Sequence, residues 1–458
     1  MNLYEYDKTS KESIYNYAKG FVNKSLREIL SVEESEVINS KIKEYNNNRK
    51  GLFGDITEEF LFGIKNNSDK NPDFKEVRIE LKTTPLKHHK KNKYAPKERL
   101  VFSMIDYMSI INETWEKSSF LNKNRLLLIM FYLFEKDKNL LDYKYKFVEL
   151  LDLLSGISEA DIAQIKNDWK FIVKKIKEGN AHLLSEGDTA YLGAATKASK
   201  STDRRSQPNN SIQAKPRAFS LKTSYLNYLI RKYLGKEDKS LVSLNKKDLP
   251  LTIEENVMKR FEPYINKTNY EIEKMLDINY IERPKNHRRL LINKLLGASS
   301  NKIEEFEKAN ITLKVIALET TKRLKESISF PIFKYTEIIN EEWEESEFYK
   351  QLNEKKFLFV IFQKTKEKRD ILKKIKFWNF PVEDLEEAKW VWQETVERIK
   401  KEEANKLPSI KENKVSHVRP HGRNGKDKID TGYGTKEVKK CFWLNAKYIQ
   451  NQLEKENL

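Results

Sequence analysis

The sequence contains one unit twice, and this repeat constrains the fold more than any other feature. Residues 107–120 read YMSIINETWEKSSF and residues 335–348 read YTEIINEEWEESEF, with nine of fourteen positions identical and no gap. Weaker matches flank this pair in the same order along the chain: 21–30 with 264–276, 56–63 with 290–297, 73–86 with 305–318, and 219–229 with 442–453. Ordered matches of this kind indicate a duplicated domain.

The two units share one layout. We place the first at residues 1–236 and the second at 260–458, with a polar linker at 237–259. In each unit, helices end at Gly63 or Gly297, and a strand of alternating polarity follows. A helix, a long apolar strand, and a closing strand and helix complete the unit. This order predicts an α/β (α+β) fold, with a mixed central sheet flanked by helices, in two tandem copies.

Charge and cysteine content narrow the class of protein. Lys and Arg number 87 against 69 Asp and Glu, a net charge of +18, which favours a polyanionic partner such as nucleic acid. A lysine-rich proteome is the alternative explanation. The single cysteine, Cys441, excludes an intramolecular disulfide and a cysteine-based zinc cluster. No apolar run approaches the ~20 residues that cross a membrane, so we expect a cytoplasmic protein that does not bind membranes.

One group of residues in the first unit has the pattern of a catalytic site. Pro72-Asp73 is followed after six residues by Glu80-Leu81-Lys82. Glu80 and Lys82 are two apart on a predicted strand and point to the same face, while Asp73 lies just before that strand. Two carboxylates suit a hard cation such as Mg²⁺, and a nearby lysine can orient or help deprotonate a water. The pattern resembles that of the PD-(D/E)xK nucleases. By itself it also fits a solvated strand face, because 34% of the residues are charged.

The surrounding motifs carry a resemblance to a known family. KGLFGDITEEFLFG at 50–63, WEKSSFLNK at 115–123 and QAKPRAFSLK at 213–222 resemble segments of MutH, the mismatch-repair endonuclease that nicks DNA at GATC. The chain is more similar to the longer GATC-cutting type II restriction enzymes, in which a degenerate MutH-like domain follows the catalytic one. SEGDTAYL at 185–192 and HVRPH at 417–421 also resemble that subgroup. The resemblance covers nearly the whole chain.

The resemblance implies the roles of the catalytic residues. Asp73 and Glu80 match the metal-binding carboxylates, and Lys82 matches the catalytic lysine. Lys123, eight residues after Trp115, matches an auxiliary lysine near the active site.

A third metal carboxylate lies on the preceding helix in the family, and the match here is ambiguous. Counting from Gly51 and Gly54 selects Glu58, whereas counting back from Gly63 or Asp73 selects Glu59. We prefer Glu58, because the two glycines fix the helical face and an extra residue is easier to place at the helix end. Adjacent helix positions lie ~100° apart, so only one glutamate faces the metal.

DNA contacts are expected from the later part of the first unit. The family's recognition loop matches residues 191–200, with Lys197 and Lys200 as expected contacts. The arginine and proline of the MutH loop are replaced by Ala195 and Thr196, and Ser220 stands where MutH has a site-reading tyrosine.

The basic run KHHKKNKYAPKER at 87–99 follows the predicted catalytic strand. We expect Lys90, Lys91 and Lys93 to bind phosphates; the alternative is a plain solvated hairpin. A zinc site at His88 and His89 is disfavoured, because neighbouring strand residues point apart.

The second unit has lost the catalytic pattern. Asp73 aligns with Glu305, Glu80 with Thr312 and Lys82 with Lys314, while Glu58 and Glu59 align with Ile292 and Asn293. One acid remains, so we expect no catalysis there. Arg419-Pro420 nevertheless resembles the MutH recognition loop. We therefore expect DNA contacts in the second unit, against the alternative of a mere buttress, from Arg419, His421 and Arg423.

Three functions remain open from the sequence. A type II restriction endonuclease that cuts both strands at GATC, with Mg²⁺ as cofactor and an allosteric second DNA site, fits best. A MutH-type nicking enzyme and a non-catalytic DNA-binding protein are the alternatives. The intact Asp73, Glu80 and Lys82 argue against the last, and the second unit argues against the nicking enzyme. We expect a monomer in solution and leave dimerisation on double-stranded DNA open.

Overall fold

The computed structural model describes residues 5–44, 51–65, 70–90, 93–198, 200, 202–244, 251–278, 284, 286–298, 302–367 and 369–455. The helices of the first unit are α1 Lys11–Lys19, α2 Leu26–Ile29, α3 Val32–Glu44, α4 Leu52–Ile56, α5 Ser119–Asn124, α6 Glu159–Lys177 and α7 Thr223–Tyr233. Its strands are β1 Ile79–His89, β2 Lys93–Pro96, β3 Leu100–Met104, β4 Leu126–Leu133, β5 Tyr145–Asp152, β6 Leu192–Thr196, β7 Arg205–Gln207, β8 Asn210–Ala214 and β9 Arg217–Leu221.

The second unit follows with the same kinds of element. Its helices are α8 Ile253–Phe261, α9 Asn269–Met275, α10 His287–Leu295, α11 Glu304–Ala309, α12 Tyr335–Ile338, α13 Glu347–Asn353, α14 Leu385–Lys400 and α15 Ala446–Glu454. Its strands are β10 Ile311–Leu318, β11 Ile328–Ile332, β12 Lys356–Gln363, β13 Ile371–Asn379, β14 Ser416–Pro420, β15 Lys428–Asp430, β16 Lys436–Val438 and β17 Lys440–Leu444.

A mixed sheet in the order β2-β1-β4-β5 forms the centre of the first unit. Strands β1 and β4 are parallel, and the other pairs are antiparallel. Strand β4 is covered on both faces: Leu128 and Met130 pack with the N-terminal helices, and Leu127 and Ile129 pack with a second core on the opposite face. A strand buried on both faces reads as a continuous apolar run, which explains the sequence of residues 125–134. A smaller sheet, β3-β9-β6, closes the unit.

The second unit repeats this topology. Its sheets are β10-β12-β13 and β11-β17-β14, again with one parallel pair, β10 with β12. The registers agree, because Ile79 lies opposite Leu126 in the first unit and Ile311 opposite Lys356 in the second. The fold is therefore a duplicated mixed α/β unit, as the repeat predicted.

The segment between the units differs from the predicted linker. Residues 253–259 belong to helix α8. A capping box between Thr252 and Glu255 stabilises the start of this helix, and Val257 and Phe261 are buried on one side of it. Upstream, Val242 pairs with Ile303 of the second unit in an isolated bridge. The helix has a hydrophobic side that the polar composition concealed. The boundary residues at 237 and 259 remain a prediction.

The two units pack together through a shared core. One cluster of buried residues includes Leu127 and Ile129 of β4 as well as Leu358 and Val360 of β12. A buried ion pair crosses the same interface, since Lys308 Nζ lies 3.0 Å from Asp161 Oδ1 and both side chains are 5% exposed. Among the described residues, none of the helices is long and apolar enough to span a membrane.

Candidate active site

Strand β1 presents the central pair of the site. Leu81 points into the core beneath the N-terminal helices, so its neighbours Glu80 and Lys82 share the opposite face. Glu80 is 1% exposed, and Lys82 Nζ donates a hydrogen bond to Glu80 Oε1 at 2.6 Å. The two side chains that the alternating pattern placed on one face are in direct contact.

A tight turn before β1 brings Asp73 onto the strand. Phe74 and Ile79 exchange backbone hydrogen bonds of 2.9 and 3.2 Å, which fold residues 74–79 back on themselves. Asp73 Oδ2 then accepts a hydrogen bond from Leu81 N at 2.9 Å, and Asp73 N donates to Glu80 Oε2 at 3.3 Å. The burial of Phe74 anchors this turn. The carboxylates of Asp73 and Glu80 therefore lie side by side.

Two glycines seat the preceding helix against the strand. Gly51 has a φ of 94° and begins α4 in a left-handed conformation that favours glycine. A Cβ on Gly54 would lie 2.9 Å from Thr83 Oγ1, so only glycine permits this close approach of α4 to β1. The KGxxG part of the motif thus meets a backbone requirement at Gly51 and a packing requirement at Gly54.

A π-helical turn, Thr57–Leu61, continues directly from α4. A π-turn holds one residue more than the α-helical turn that it replaces, and such turns are frequent at functional sites. This explains why counting from the glycines at 51 and 54 and counting back from Gly63 disagree by one position. From the sequence we expected the extra residue at the end of the helix. In the structure it lies inside the helix, in the π-turn. Helix α10 of the second unit is α-helical throughout.

The structure separates the two adjacent glutamates. Glu59 forms an ion pair with Lys41 at 2.9 Å, and its side chain is 44% exposed. Glu58 is half-buried and faces the active site, where burial and then the carboxylate of Asp73 raise its pKa to about 7. Glu58 is therefore the helix carboxylate that the structure brings to Asp73 and Glu80.

Two lysines balance part of the negative charge. Lys123 on α5 lies 3.6 Å from Glu80 Oε1 with its side chain 16% exposed. Burial raises the pKa of Glu80, and the ammonium of Lys82 opposes that effect. Burial would lower the pKa of Lys82, but Glu80, Asp73 and Glu58 raise it above its ordinary value. The side chain of Lys82 is therefore a protonated ammonium in the metal-free protein.

The donor set fits a hard divalent cation. Three carboxylates converge, and burial together with the carboxylate of Asp73 raises the pKa of Glu58 and Glu80 despite the opposing charge of Lys82, so a bound cation would favour their ionised forms. As the side chains of the described residues stand, no three acidic, histidine or cysteine side chains are arranged to enclose an ion. Lys82 and Lys123 form ion pairs with the Glu80 carboxylate. A metal ion that binds Glu80 would therefore have to displace at least one of these ammonium groups.

Most of the expected DNA-binding side chains are at the surface. Lys197 and Lys200 are exposed at the end of β6 and in the following loop. Lys90 and Lys93 are exposed in the β1-β2 hairpin, which the basic run forms, and Lys91 lies outside the described residues. His88 contacts the ring of Tyr94.

Two residues in the segments expected to contact DNA are not placed to do so. Ser220 is fully buried on β9, the central strand between β3 and β6, so a direct DNA contact by this hydroxyl is not supported. Arg99, at the end of the basic run, binds Glu186 and, at 2.9 Å, Glu354 at the interface between the units. It is therefore not available to the phosphate backbone in this arrangement.

The structure adds residues that the sequence did not single out. Arg204 and Arg205 are exposed beside the loop that carries Lys197 and Lys200, and the adjacent basic pair was the available signal. Within the RAFSLK motif, Arg217 donates to Ala194 O at 2.6 Å and Lys222 donates to Thr189 O, both from buried positions. The charges of that motif hold the fold and do not face solvent.

The loop of the second unit has a preformed arrangement. The guanidinium of Arg419 lies 3.7 Å from the ring centroid of Trp443, and the ring of His421 meets the same indole edge-on at 5.1 Å. Arg423 is exposed further along the loop. Strand register places Arg419 at the position of Ala195 and Trp443 at that of Ser220. The second unit thus has an arginine and an aromatic ring where the first has small residues.

The comparisons with known proteins agree with this arrangement. The family model described as DNA mismatch repair enzyme MutH matches residues 62–168 and 296–389, one segment in each unit. The fold and the site are those of a MutH-like nuclease. The chain is also 34% identical to the type II restriction enzyme Sau3AI of Staphylococcus aureus, over 97% of this chain and 98% of that protein. The chain therefore belongs to the MutH-like type II restriction enzymes and is a site-specific deoxyribonuclease.

Proposed function

We propose that this protein makes Mg²⁺-dependent double-strand cuts in DNA at GATC sites. The observation that carries the proposal is the convergence of Glu58, Asp73, Glu80 and Lys82 in the first unit. The GATC specificity is supported by the resemblance of the segments at 185–192 and 417–421 to the GATC-cutting enzymes.

Each group in the site has a role in phosphodiester hydrolysis. Glu58, Asp73 and Glu80 would hold the cation, and bound Mg²⁺ would supply charge stabilisation at the phosphate and a more acidic water. Because Lys82 is an ammonium beside Glu80, it orients the attacking water by donating a hydrogen bond. Lys123, near the same carboxylate, offsets the charge that develops on the scissile phosphate.

Plasmid digestion tests this assignment. We expect linear products with GATC at every sequenced end, and loss of cutting in EDTA. Asp73→Ala, Glu80→Ala and Lys82→Ala should each abolish cleavage while specific binding persists, because these groups act on the phosphate and not on the bases. Wild-type cutting by any one of them would remove that residue from the site. Nicked circles as the only product would favour the MutH-type alternative.

The second unit is proposed to be catalytically inactive and to bind a second GATC site as an allosteric effector. It retains Glu305 as its one aligned acid, yet it presents Arg419 stacked on Trp443 at the surface. A stacked arginine loses less side-chain entropy on binding and suits guanine edges or phosphates. Stimulation of the first unit requires that DNA bound there favours one arrangement of the units over another.

Site number in the substrate tests the allosteric role. A plasmid with two GATC sites should be cut faster than one with a single site, and an added short GATC duplex should rescue the single-site plasmid. Arg419→Ala should remove this difference while residual cutting persists. Lys401→Ala, which removes an exposed charge directly after α14 of the same unit, serves as the control. Equal rates on both plasmids, with no response to added duplex, would leave the second unit as a scaffold.

A further inference from the structure

At the position of the first unit's active site, the second unit carries basic residues and has lost most of the carboxylates. The shared strand register places Thr312 where Glu80 stands and Lys314 where Lys82 stands. The helix carboxylate corresponds to Ile292 or Asn293, neither of which ionises. The remaining acid, Glu305, accepts hydrogen bonds from Ser243 Oγ at 2.6 Å and Leu244 N at 3.0 Å. These partners lie in the segment between the units.

A new cation has joined the conserved lysine. Arg289 on α10 donates from Nη1 to Leu313 O at 2.8 Å, and Leu313 is the residue between Thr312 and Lys314 on β10. The guanidinium therefore lies against the strand that carries the lysine. Lys355, directly before β12, is the third cation of this group. We call Arg289, Lys314 and Lys355 the basic cluster.

The three cations are partly accessible, and Lys314 lies near both of the others. Each is half-buried, so each keeps part of its side chain open to solvent. Burial and the neighbouring Arg289 lower the pKa of Lys314, and burial and Lys314 lower the pKa of Lys355. Within the described part of the chain, Lys314 has no ion pair, and Glu347 lies near Lys355 without forming one. Placing these charges together has an energetic cost that a bound anion would relieve.

We propose that the basic cluster binds a phosphate group of the DNA backbone. The combination of a planar guanidinium and two ammonium groups suits the tetrahedral oxygens of a phosphate. In the first unit the same position acts on a backbone phosphate. In the first unit, carboxylates would bind a metal ion that in turn contacts the phosphate. In the second unit, where most of these carboxylates are lost, the basic side chains would contact the phosphate directly. This proposal rests on the proposed second DNA site and identifies a contact that holds the duplex there.

The test measures binding of a short fluorescent GATC duplex to the full chain in EDTA, at several KCl concentrations. Wild type should bind two duplexes. Lys314→Met keeps the apolar stem and removes one charge, so the second duplex should bind about eight-fold more weakly at 0.1 M salt. The dependence of log K on log salt should fall by about 0.9, the value for one phosphate contact. Lys355→Met should act in the same direction and guards against a folding defect in the first variant.

Lys294→Met is the matched control, because it removes the same charge from an exposed position on α10. It should leave both duplexes and both salt dependences unchanged. Equal affinity and equal salt dependence of Lys314→Met and Lys294→Met for the second duplex would overturn the proposal.

A separate arm uses inorganic phosphate, which tests the basic cluster even if the chain binds only one duplex and the second DNA site is wrong. Phosphate should then raise the melting temperature above that in chloride of equal ionic strength, and Lys314→Met should remove the increase. That result would keep the anion site and change its ligand to free phosphate. With a single duplex bound, the absence of any increase in wild type would reject the basic cluster as an anion site.

Discussion

Replacing Glu58 should stabilise the protein and inactivate it at the same time. Burial and Asp73 raise the pKa of Glu58 from 4.5 to about 7. Between these pH values the folded state binds more protons than the unfolded state, so stability falls as pH rises through this window. At ~1.4 kcal/mol per pH unit, the ionised carboxylate costs the metal-free protein at most roughly 3 kcal/mol above pH 7. Because Glu58 is half-buried, nearby water screens its charge and reduces this free-energy cost.

Glu58→Gln removes the charge but keeps the shape. In EDTA at pH 8, urea unfolding should show this variant to be more stable than wild type by roughly 1–3 kcal/mol. At pH 4.5 the two proteins should be nearly equal, because wild-type Glu58 is then protonated in the folded state. Mg²⁺ should stabilise wild type more than the variant. Plasmid cleavage should fall by roughly 10²-fold or more, the loss typical of a charge-stabilising group.

Glu59→Gln is a control at the next residue. Glu59 is exposed and pairs with Lys41, and such surface pairs contribute roughly 0–1 kcal/mol. This variant should be equal to or slightly less stable than wild type at pH 8, and it should cut DNA normally. The reasoning is refuted if Glu59→Gln abolishes cleavage and Glu58→Gln does not, or if Glu58→Gln destabilises the metal-free protein at pH 8.

Three further predictions concern the interface, a buried lysine and the basic surface. Lys308→Met leaves Asp161 buried and unpaired and should cost about 3–5 kcal/mol of unfolding free energy; a loss below ~1 kcal/mol would show that the units do not pack as described. Burial and then Lys356 lower the pKa of Lys222 from 10.5 to about 7, so the stability of wild type relative to Lys222→Met should rise between pH 7 and 10, as urea unfolding would show. Neutralising Lys90 and Lys93 should weaken binding to all DNA and reduce its salt dependence, whereas Lys197→Ala should weaken binding chiefly to GATC duplexes; identical behaviour in salt titrations would contradict that division.

Sequence alone located the repeat, the central strand and the pair on its face. Alternation with period two is a property of the strand itself, so Glu80 and Lys82 had to share a side wherever the strand packed. The apolar runs that became β4 and β12 were equally local, because a strand covered on both faces needs apolar residues at every position. The spacing of Asp73 before the strand also singled it out. The resemblance was needed for Lys123, which lies on the separate helix α5.

Only the tertiary structure decided which helix residue faces the site and which loop residues reach the surface. The choice between Glu58 and Glu59 depended on a π-turn and on the approach of Gly54 to Thr83, and sequence periodicity assumes a regular helix. Ser220 is buried because both faces of β9 are covered, so that every residue of this strand is buried. The pairing of Arg99 with Glu354, like the cationic group around Lys314, joins residues distant in the chain. Such contacts depend on how the sheets and helices pack together, and the local pattern of residues does not predict them.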